Sequence, residues 1–357
     1  MMTRPTIHFV YALPLGVIDK IALRLFGTIF TSSFRFDRIG WPRPIHAPLS
    51  ISFHVAHSLS DRFDVKLYDL RSRWPITPRR GDILLAHPSP DPRSVSSQAF
   101  DDPRFARKIL LSPYNADLGQ TGWLSDLMPK VDRYVAISGE PWFNEFRSPF
   151  IERHGGKICR VDMGIDPDDY PLVKRRFSPP GARRFLYIGR VSTFGDEKGI
   201  SLLERLASRI EGFSGGYVCR GGEIEGWRKI SSPRPLDLPF MEAVAREYDV
   251  FINMSRFDAQ VTTVLEAACW GFPVACTPQS GYREKSFFTL SVDDDDANRQ
   301  VIETIQRLPS EHLARLARRN RELVATKYSW DRFAESIRSV VDEVMASPVG
   351  GSAGGGG

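Results

Sequence analysis

Asp258 and Glu266 stand eight positions apart, with Thr262 and Thr263 between them, in the stretch DVFINMSRFDAQVTTVLEAACWGFPVACTPQSG, residues 249–281. Two such carboxylates can hold the hydroxyls of a sugar or ribose. A helix start between them can hold an anion through its free N–H groups. The surrounding pattern predicts the elements that position these groups. Val250-Phe251-Ile252 suits a buried parallel strand. Val261, Val264, Leu265, Ala268 and Cys269 recur at i, i+3, i+4, i+7 and i+8, one face of a helix. Gly271 and Pro273 end that helix, and Pro273–Cys276 reads as the next strand. Residues 255–260 then form a loop at a strand's C-terminal end, where doubly wound sheets bind ligands. The plainer alternatives are that Asp258 only caps the helix and that Glu266 is a solvated helix residue.

A second candidate element lies about 60 residues earlier. Phe185–Ile188 reads as a strand ending in Gly189-Arg190, and Lys198-Gly199 follows before an amphipathic helix that runs to Ile210. Gly189 allows a tight turn. Arg190 supplies a forked donor and Lys198 a mobile point charge, a pair suited to a diphosphate. Two solvated surface cations are the alternative. His87 follows the strand Asp82–Ala86 and precedes Pro88, which puts an imidazole at a strand's C-terminal edge. His54 and His57 form a pair without a further ligand cluster, so a structural role is expected. Ser138 reads as the N-cap of a helix with Pro141 in its first turn.

Glu266-Ala267, Gly271, Pro273 and Val274 resemble the signature of retaining family-4 glycosyltransferases, which is Glu, seven residues, Glu, then Ala-x-x-x-Gly-x-Pro-Val. Asp258 takes the place of the first Glu, and Gln260-Val261-Thr262 stands where Phe-Gly-Leu is usual. Gly189-Arg190 and Lys198-Gly199 resemble the family's Gly-Arg…Lys-Gly element. Val161–Asp166 resembles its Asn-Gly-Val-Asp step, and Tyr328-Ser329-Trp330 its final helix start. The likeness covers Gly189–Met345, extends to Tyr134–Asp166, and does not reach the first strand, where Leu13-Pro14-Leu15-Gly16 replaces a Gly-Gly loop.

The resemblance implies an α/β protein with two Rossmann-like domains facing a cleft, the GT-B architecture. Residues 1–165 would form an N-terminal acceptor domain and 166–328 a nucleotide-sugar donor domain. Residues 329–346 would be a helix crossing back to the first domain, and 347–357 a flexible tail. The implied reaction moves a sugar from a nucleoside-diphosphate sugar to a glycan, lipid-linked or small-molecule acceptor, with retention and with neither metal nor cofactor. Arg190 and Lys198 would stabilise the leaving diphosphate, helped by the turn at Gly189 and by N–H groups at Thr262 and Thr263. Glu266 would hold the ribose, Asp258 the donor sugar, and His87 would reach that sugar from the other domain. A catalytically inactive sugar-nucleotide binding protein and a non-hydrolysing sugar-nucleotide epimerase share this architecture.

Composition sets the outer limits. The 357 residues suit two domains, and 42% hydrophobic with 25% charged residues is ordinary for a soluble globular chain. There is no apolar run of spanning length, and Pro14 interrupts the short Ile7–Leu13 run, so it reads as a first strand and not a signal peptide. Four cysteines without a Cys-x-x-Cys pair fit a reducing compartment. A cytoplasmic location is therefore expected. The net charge of +5 fits polyphosphate ligands or an anionic surface. Without a clustered basic face no nucleic-acid partner is expected, and without G-x-G-x-x-G after the first strand a nicotinamide dehydrogenase is disfavoured.

Val17–Ile39 sets Ile18, Ile21, Leu25, Ile29 and Phe30 on one face beside Lys20 and Arg24. That is a peripheral contact for the inner face of a membrane, or an ordinary first helix. Asp64–Leu70, Lys108–Ser112 and Tyr134–Ile137 are further expected strands. Ile45–Leu59 and Gly122–Met128 are expected helices. The acidic run Asp293–Asp296 is expected as an exposed loop before a helix over Ala297–Leu308. Ser231–Leu236 falls where the family's base-contacting loop would lie.

Overall fold

A computed structural model describes residues 4–13, 17–26, 34–35, 47–116, 118–191, 196–231 and 236–347. Pro14–Gly16, Ile29 and Phe30 of the expected Val17–Ile39 face, residues 192–195, residues 232–235 and the Gly-rich tail from 348 lie outside the described residues.

Two α/β units follow one another along the chain. The first sheet holds β1 (Thr6–Tyr11), β2 (Phe34–Arg35), β3 (Asp64–Asp69), β4 (Ile83–Ala86), β5 (Arg107–Pro113), β6 (Arg133–Ile137) and β7 (Ile158–Val161), in the order β2-β3-β1-β4-β5-β6-β7. Only the edge strand β2 runs antiparallel. The second holds β8 (Arg184–Arg190), β9 (Ser214–Arg220), β10 (Arg228–Lys229), β11 (Val250–Asn253), β12 (Val274–Cys276) and β13 (Phe288–Thr289), ordered β10-β9-β8-β11-β12-β13 and parallel throughout. Each chain order reverses once, at β1/β4 in the first sheet and at β8/β11 in the second. These are two Rossmann-like domains.

Alternation along the strands explains the layers. Ile7, Phe9, Leu67, Leu85, Leu111 and Val135 fill one face of the first sheet. Val10, Tyr68, Leu84, Leu110 and Tyr134 fill the other. With both faces covered by helices, these strands read as near-continuous apolar runs. In the second sheet Leu186, Phe251 and Val274 face one way, and Phe185, Tyr187, Val250 and Ile252 the other.

The chain passes between the units after β7 and returns at Tyr328. The two crossings are joined, because the Ile165 amide donates to the Tyr328 carbonyl at 2.7 Å. Ser329 then caps the helix Trp330–Ala346 through the Arg332 amide. Phe333, Ile337, Val340, Val341 and Val344 on its inner face join the core of the first sheet.

Some local expectations are corrected. Ser138 is no N-cap: its hydroxyl donates to the Tyr114 carbonyl at 2.7 Å, and Glu140 precedes the short helix Pro141–Asn144. The acidic run is not wholly a loop. Asp294 caps a helix over Asp295–Arg307, and Asp295 is held by Arg205 and Arg209. Acids at a helix start complement its dipole, which explains the earlier beginning. The described helices over 49–59 and 118–127 are also shifted from the expected bounds. Cys269 and Cys276 are buried, whereas Cys159 and Cys219 are partly exposed; all four are free.

Candidate functional site

The β8/β11 switch point gathers most of the candidate residues. β8 ends at Arg190, whose side chain is exposed. The preceding Gly189 is dictated by its neighbour: a Cβ there would lie 2.5 Å from the Tyr187 hydroxyl, which donates to the Arg190 carbonyl at 3.1 Å. β11 ends at Asn253, and the loop after it carries Asp258.

Lys198 and Asp258 meet directly in an ion pair, each about a quarter to a fifth exposed (24% and 21%). Backbone bonds support the meeting. The Arg256 and Phe257 amides donate to the Glu197 carbonyl at 2.8 and 3.3 Å, and the Arg256 guanidinium reaches Asp196 at 3.2 Å. A lysine and an acid 60 residues apart in sequence thus share one surface at the strand ends.

The helix beyond the loop spans Thr262–Trp270. Val261, not Asp258, is its N-cap, and no side chain caps it. Among the described residues no side chain caps the Thr262 and Thr263 N–H groups, and the dipole there favours an anion. Gly271, in the left-handed region at φ 90°, ends the helix as expected. Thr262 and Glu266 lie one turn apart and line a cavity of about 20 Å³ with Ser50, Met163, Gly164, Ile165, Tyr170 and Trp330. The Ser50 hydroxyl is buried there without a partner. Glu266 is therefore not a solvated surface residue: burial pushes its carboxyl up to about 7.

His87 occupies the corresponding place in the first domain, after β4 at the β1/β4 switch point. Its Nδ1 lies 2.7 Å from the Pro88 carbonyl, so that nitrogen carries the proton and Nε2 keeps the lone pair. Its ring meets Tyr11 edge-on at 5.2 Å. Burial lowers its pKa, so the imidazole is neutral at pH 7. Among the described residues it touches neither Asp258 nor Lys198. His54 stacks on Trp330 at 4.2 Å, and His57 on Phe53. No metal-ligand cluster is found among the described residues.

Three residues that pattern reasoning missed complete the region. Trp142 of the first domain donates its indole N–H to the Asp258 carbonyl at 2.6 Å. The Gly139 amide donates to the Ala259 carbonyl at 2.9 Å. Gly139 is tolerated only as glycine, because a Cβ would run into the Gly281 backbone. Asp162, held by Arg160, accepts from the Gln260 side chain at 3.0 Å. The aromatic after Pro141 was visible in the sequence, but nothing in its spacing tied it to residue 258.

Solved structures similar to this chain include glycosyltransferases. An α,α-trehalose-phosphate synthase (UDP-forming) from Burkholderia vietnamiensis is 9% identical, with TM-score 0.62 over 97% of this chain and 100% of that one. HepE from Anabaena, in complex with UDP and glucose, is 10% identical, with TM-score 0.56 over 94% and 99%. TarM from S. aureus is 14% identical, with TM-score 0.54 over 76% of this chain. The match spans only 56% of TarM, little more than half its length. The chain therefore has the GT-B fold. No protein-family model matches it, and no curated protein does.

Proposed function

We propose that this protein is a glycosyltransferase that moves a sugar from a nucleoside-diphosphate sugar to a glycan, lipid-linked or small-molecule acceptor. The observation that carries this reading is the Lys198–Asp258 pair at the β8/β11 switch point, where β8 ends at Arg190 and the loop after β11 leads to an uncapped helix start. The 1–165 domain would hold the acceptor and the 166–328 domain the donor.

Donor binding would exchange partners. Lys198 leaves Asp258 for the diphosphate, with Arg190 and the Thr262 and Thr263 N–H groups as further donors, and the freed Asp258 carboxylate accepts from donor-sugar hydroxyls. As the glycosidic bond breaks, negative charge grows on the diphosphate, so these donors act most strongly in the transition state. Glu266 would accept from the ribose hydroxyls. The Nε2 lone pair of His87 would accept from the sugar hydroxyl that faces the first domain. The cations and the helix dipole would serve without a metal, and the anomeric configuration would be retained, as the signature resemblance implies.

The helix Val17–Phe26 supports membrane contact. Ile18, Ile21, Leu25 and Phe26 are exposed beside the exposed Lys20 and Arg24. No helix among the described residues is long and apolar enough to cross a membrane. A peripheral place on an anionic inner face, reached from the cytoplasm, fits that helix. Binding to anionic but not neutral vesicles, lost in Ile18→Ser/Leu25→Ser, is the expected result.

The transferase reading is tested by thermal unfolding with UDP, GDP, ADP, TDP and their sugars. One nucleotide and its sugar should raise the melting temperature by mass action. Release of nucleoside diphosphate from that sugar then separates an enzyme from an inactive binder. Turnover without acceptor to an epimeric sugar nucleotide would favour the epimerase. No shift with any of them sinks the reading.

A further inference from the structure

The backbone of the acid-bearing loop is shared between the two domains. The Asp258 amide donates to the Gln279 carbonyl of its own domain at 3.1 Å, and the Val261 amide to the Ser280 carbonyl at 3.0 Å. The carbonyls of Asp258 and Ala259 accept from the other domain, from Trp142 Nε1 at 2.6 Å and the Gly139 amide at 2.9 Å. The next side chain, Gln260, crosses as well: its Oε1 accepts from the Met163 amide at 2.5 Å, and its Nε2 donates to Asp162 at 3.0 Å.

Trp142 and Gln260 are themselves buried, at 2% and 5% exposure. Their bonds to Asp258 and Asp162 are partly buried and the bond to Met163 is buried, so they act in a medium of lower dielectric than water. Trp142 is braced further by Phe146 at 5.4 Å. The loop is therefore anchored to the first domain at each of Asp258, Ala259 and Gln260, while the Asp258 carboxylate pairs with Lys198 of its own domain.

We propose that Trp142 and Gln260 are positioning residues through which the first domain sets the place of the Asp258 carboxylate. The proposal rests on the transferase reading for its consequence in turnover, but not for the coupling itself. A domain that moves away draws on this loop first, so the geometry around the donor sugar depends on the other half of the molecule. The nucleotide contacts proposed for Arg190 and Glu266 lie outside the anchored segment and should be spared.

The test uses the full chain with Trp142→Phe, which keeps the ring and loses the N–H, and Gln260→Met, which keeps the length and loses both polar contacts. If one variant fails to fold, the other carries the test. Hydrogen exchange is followed in peptides covering 255–263, alongside affinity for UDP and UDP-glucose and the rate of UDP release. Each variant should speed exchange in that loop by about five-fold or more, as loss of one buried bond implies, and leave β8 and β9 unchanged. UDP affinity should stay within about two-fold while UDP release from UDP-glucose falls about ten-fold. Unchanged exchange at 255–263 overturns the proposal whatever the substrate. So does a parallel loss of UDP affinity and turnover with faster exchange throughout, which marks a merely structural role. If the wild type binds neither UDP nor UDP-glucose, that donor is wrong, and the exchange result still decides the coupling.

Discussion

Two lysine–aspartate pairs flank the strand β11. At its N-terminal end Asp249 pairs with Lys174 at 3.0 Å, and both side chains are essentially inaccessible (0% and 1%). At its C-terminal end Asp258 pairs with Lys198 in partly open surroundings. The first pair is saturated. Lys174 also donates to the Ala245 carbonyl, and Asp249 also accepts from the Ser178 and Arg184 amides. Burial pushes the Asp249 carboxyl up, but Lys174 and the Ser178 amide outweigh that and leave it below the usual range. Among the described residues the second pair makes no other side-chain bond, and it lies at the same strand ends as the exposed Arg190 and an uncapped helix start. The same two residue types thus tie the segment between β7 and β8 to the second sheet at one end and stay more open at the other. Burial and the number of other partners make the difference.

The buried pair should be the harder one to break. Lys174→Ala leaves Asp249 charged in the interior, and a loss of about 3–5 kcal/mol is expected in urea unfolding. A loss under about 1 kcal/mol would show that water reaches the site. At the other end the effect should appear in turnover. Lys198→Ala should lower the rate at saturating donor about 10²–10³-fold, the scale of one lost transition-state donor, and change stability by less than about 1 kcal/mol. Arg190→Lys should also be damaging, since a point charge does not replace the fork. Full rate in Lys198→Ala would reduce this pair to an ordinary surface contact.

Glu266 contrasts with both pairs, because it has no cationic partner among the described residues. Its folded-state pKa of about 7 lies above the 4.5 of a free glutamate. Between those values the native state binds the extra proton, so stability should fall as pH rises from 4.5 toward 7 and level off above. Glu266→Gln removes that penalty and should be more stable than wild type at pH 8, by at most about 3 kcal/mol, and equal to it below pH ~4. Thermal unfolding across pH measures this. The same variant should weaken nucleoside-diphosphate binding about 10- to 150-fold, as loss of a charged hydrogen bond to ribose would. Unchanged affinity in the folded variant would remove Glu266 from the donor site.

The smallest expected effect sharpens the comparison most directly. A double-mutant cycle of Lys198→Ala and Asp258→Asn should give a stability coupling of about 0–1 kcal/mol. In the same variants Asp258→Asn should reduce transfer more than it reduces binding of the bare nucleotide. Equal losses in both would argue for a purely structural acid.

What was legible in the sequence was local. Val250–Ile252 reads as a strand because both faces of β11 are buried, and a doubly covered strand is apolar along its run. Gly271 and Ser329 read as helix ends because the backbone at such positions needs a glycine or a short hydroxyl side chain. Arg190, Lys198 and Asp258 could be placed at strand ends because strand–loop–helix order alone puts them there. Ser138 failed as a cap because its hydroxyl found a tertiary partner, Tyr114, that no spacing rule includes. Lys174 lies between β7 and β8, and only the fold carries it to Asp249.

The sequence by itself therefore determined the order and type of most elements and named part of the candidate site, since turn, cap and burial preferences act over a few positions. Tertiary structure alone decided which of those residues meet. Trp142 and Asp258 are joined across 116 positions, and Lys198 and Asp258 across 60. Such contacts depend on how two sheets are set against each other. A hydrogen bond or ion pair places no demand on the residues between its partners, so it leaves no trace in their pattern.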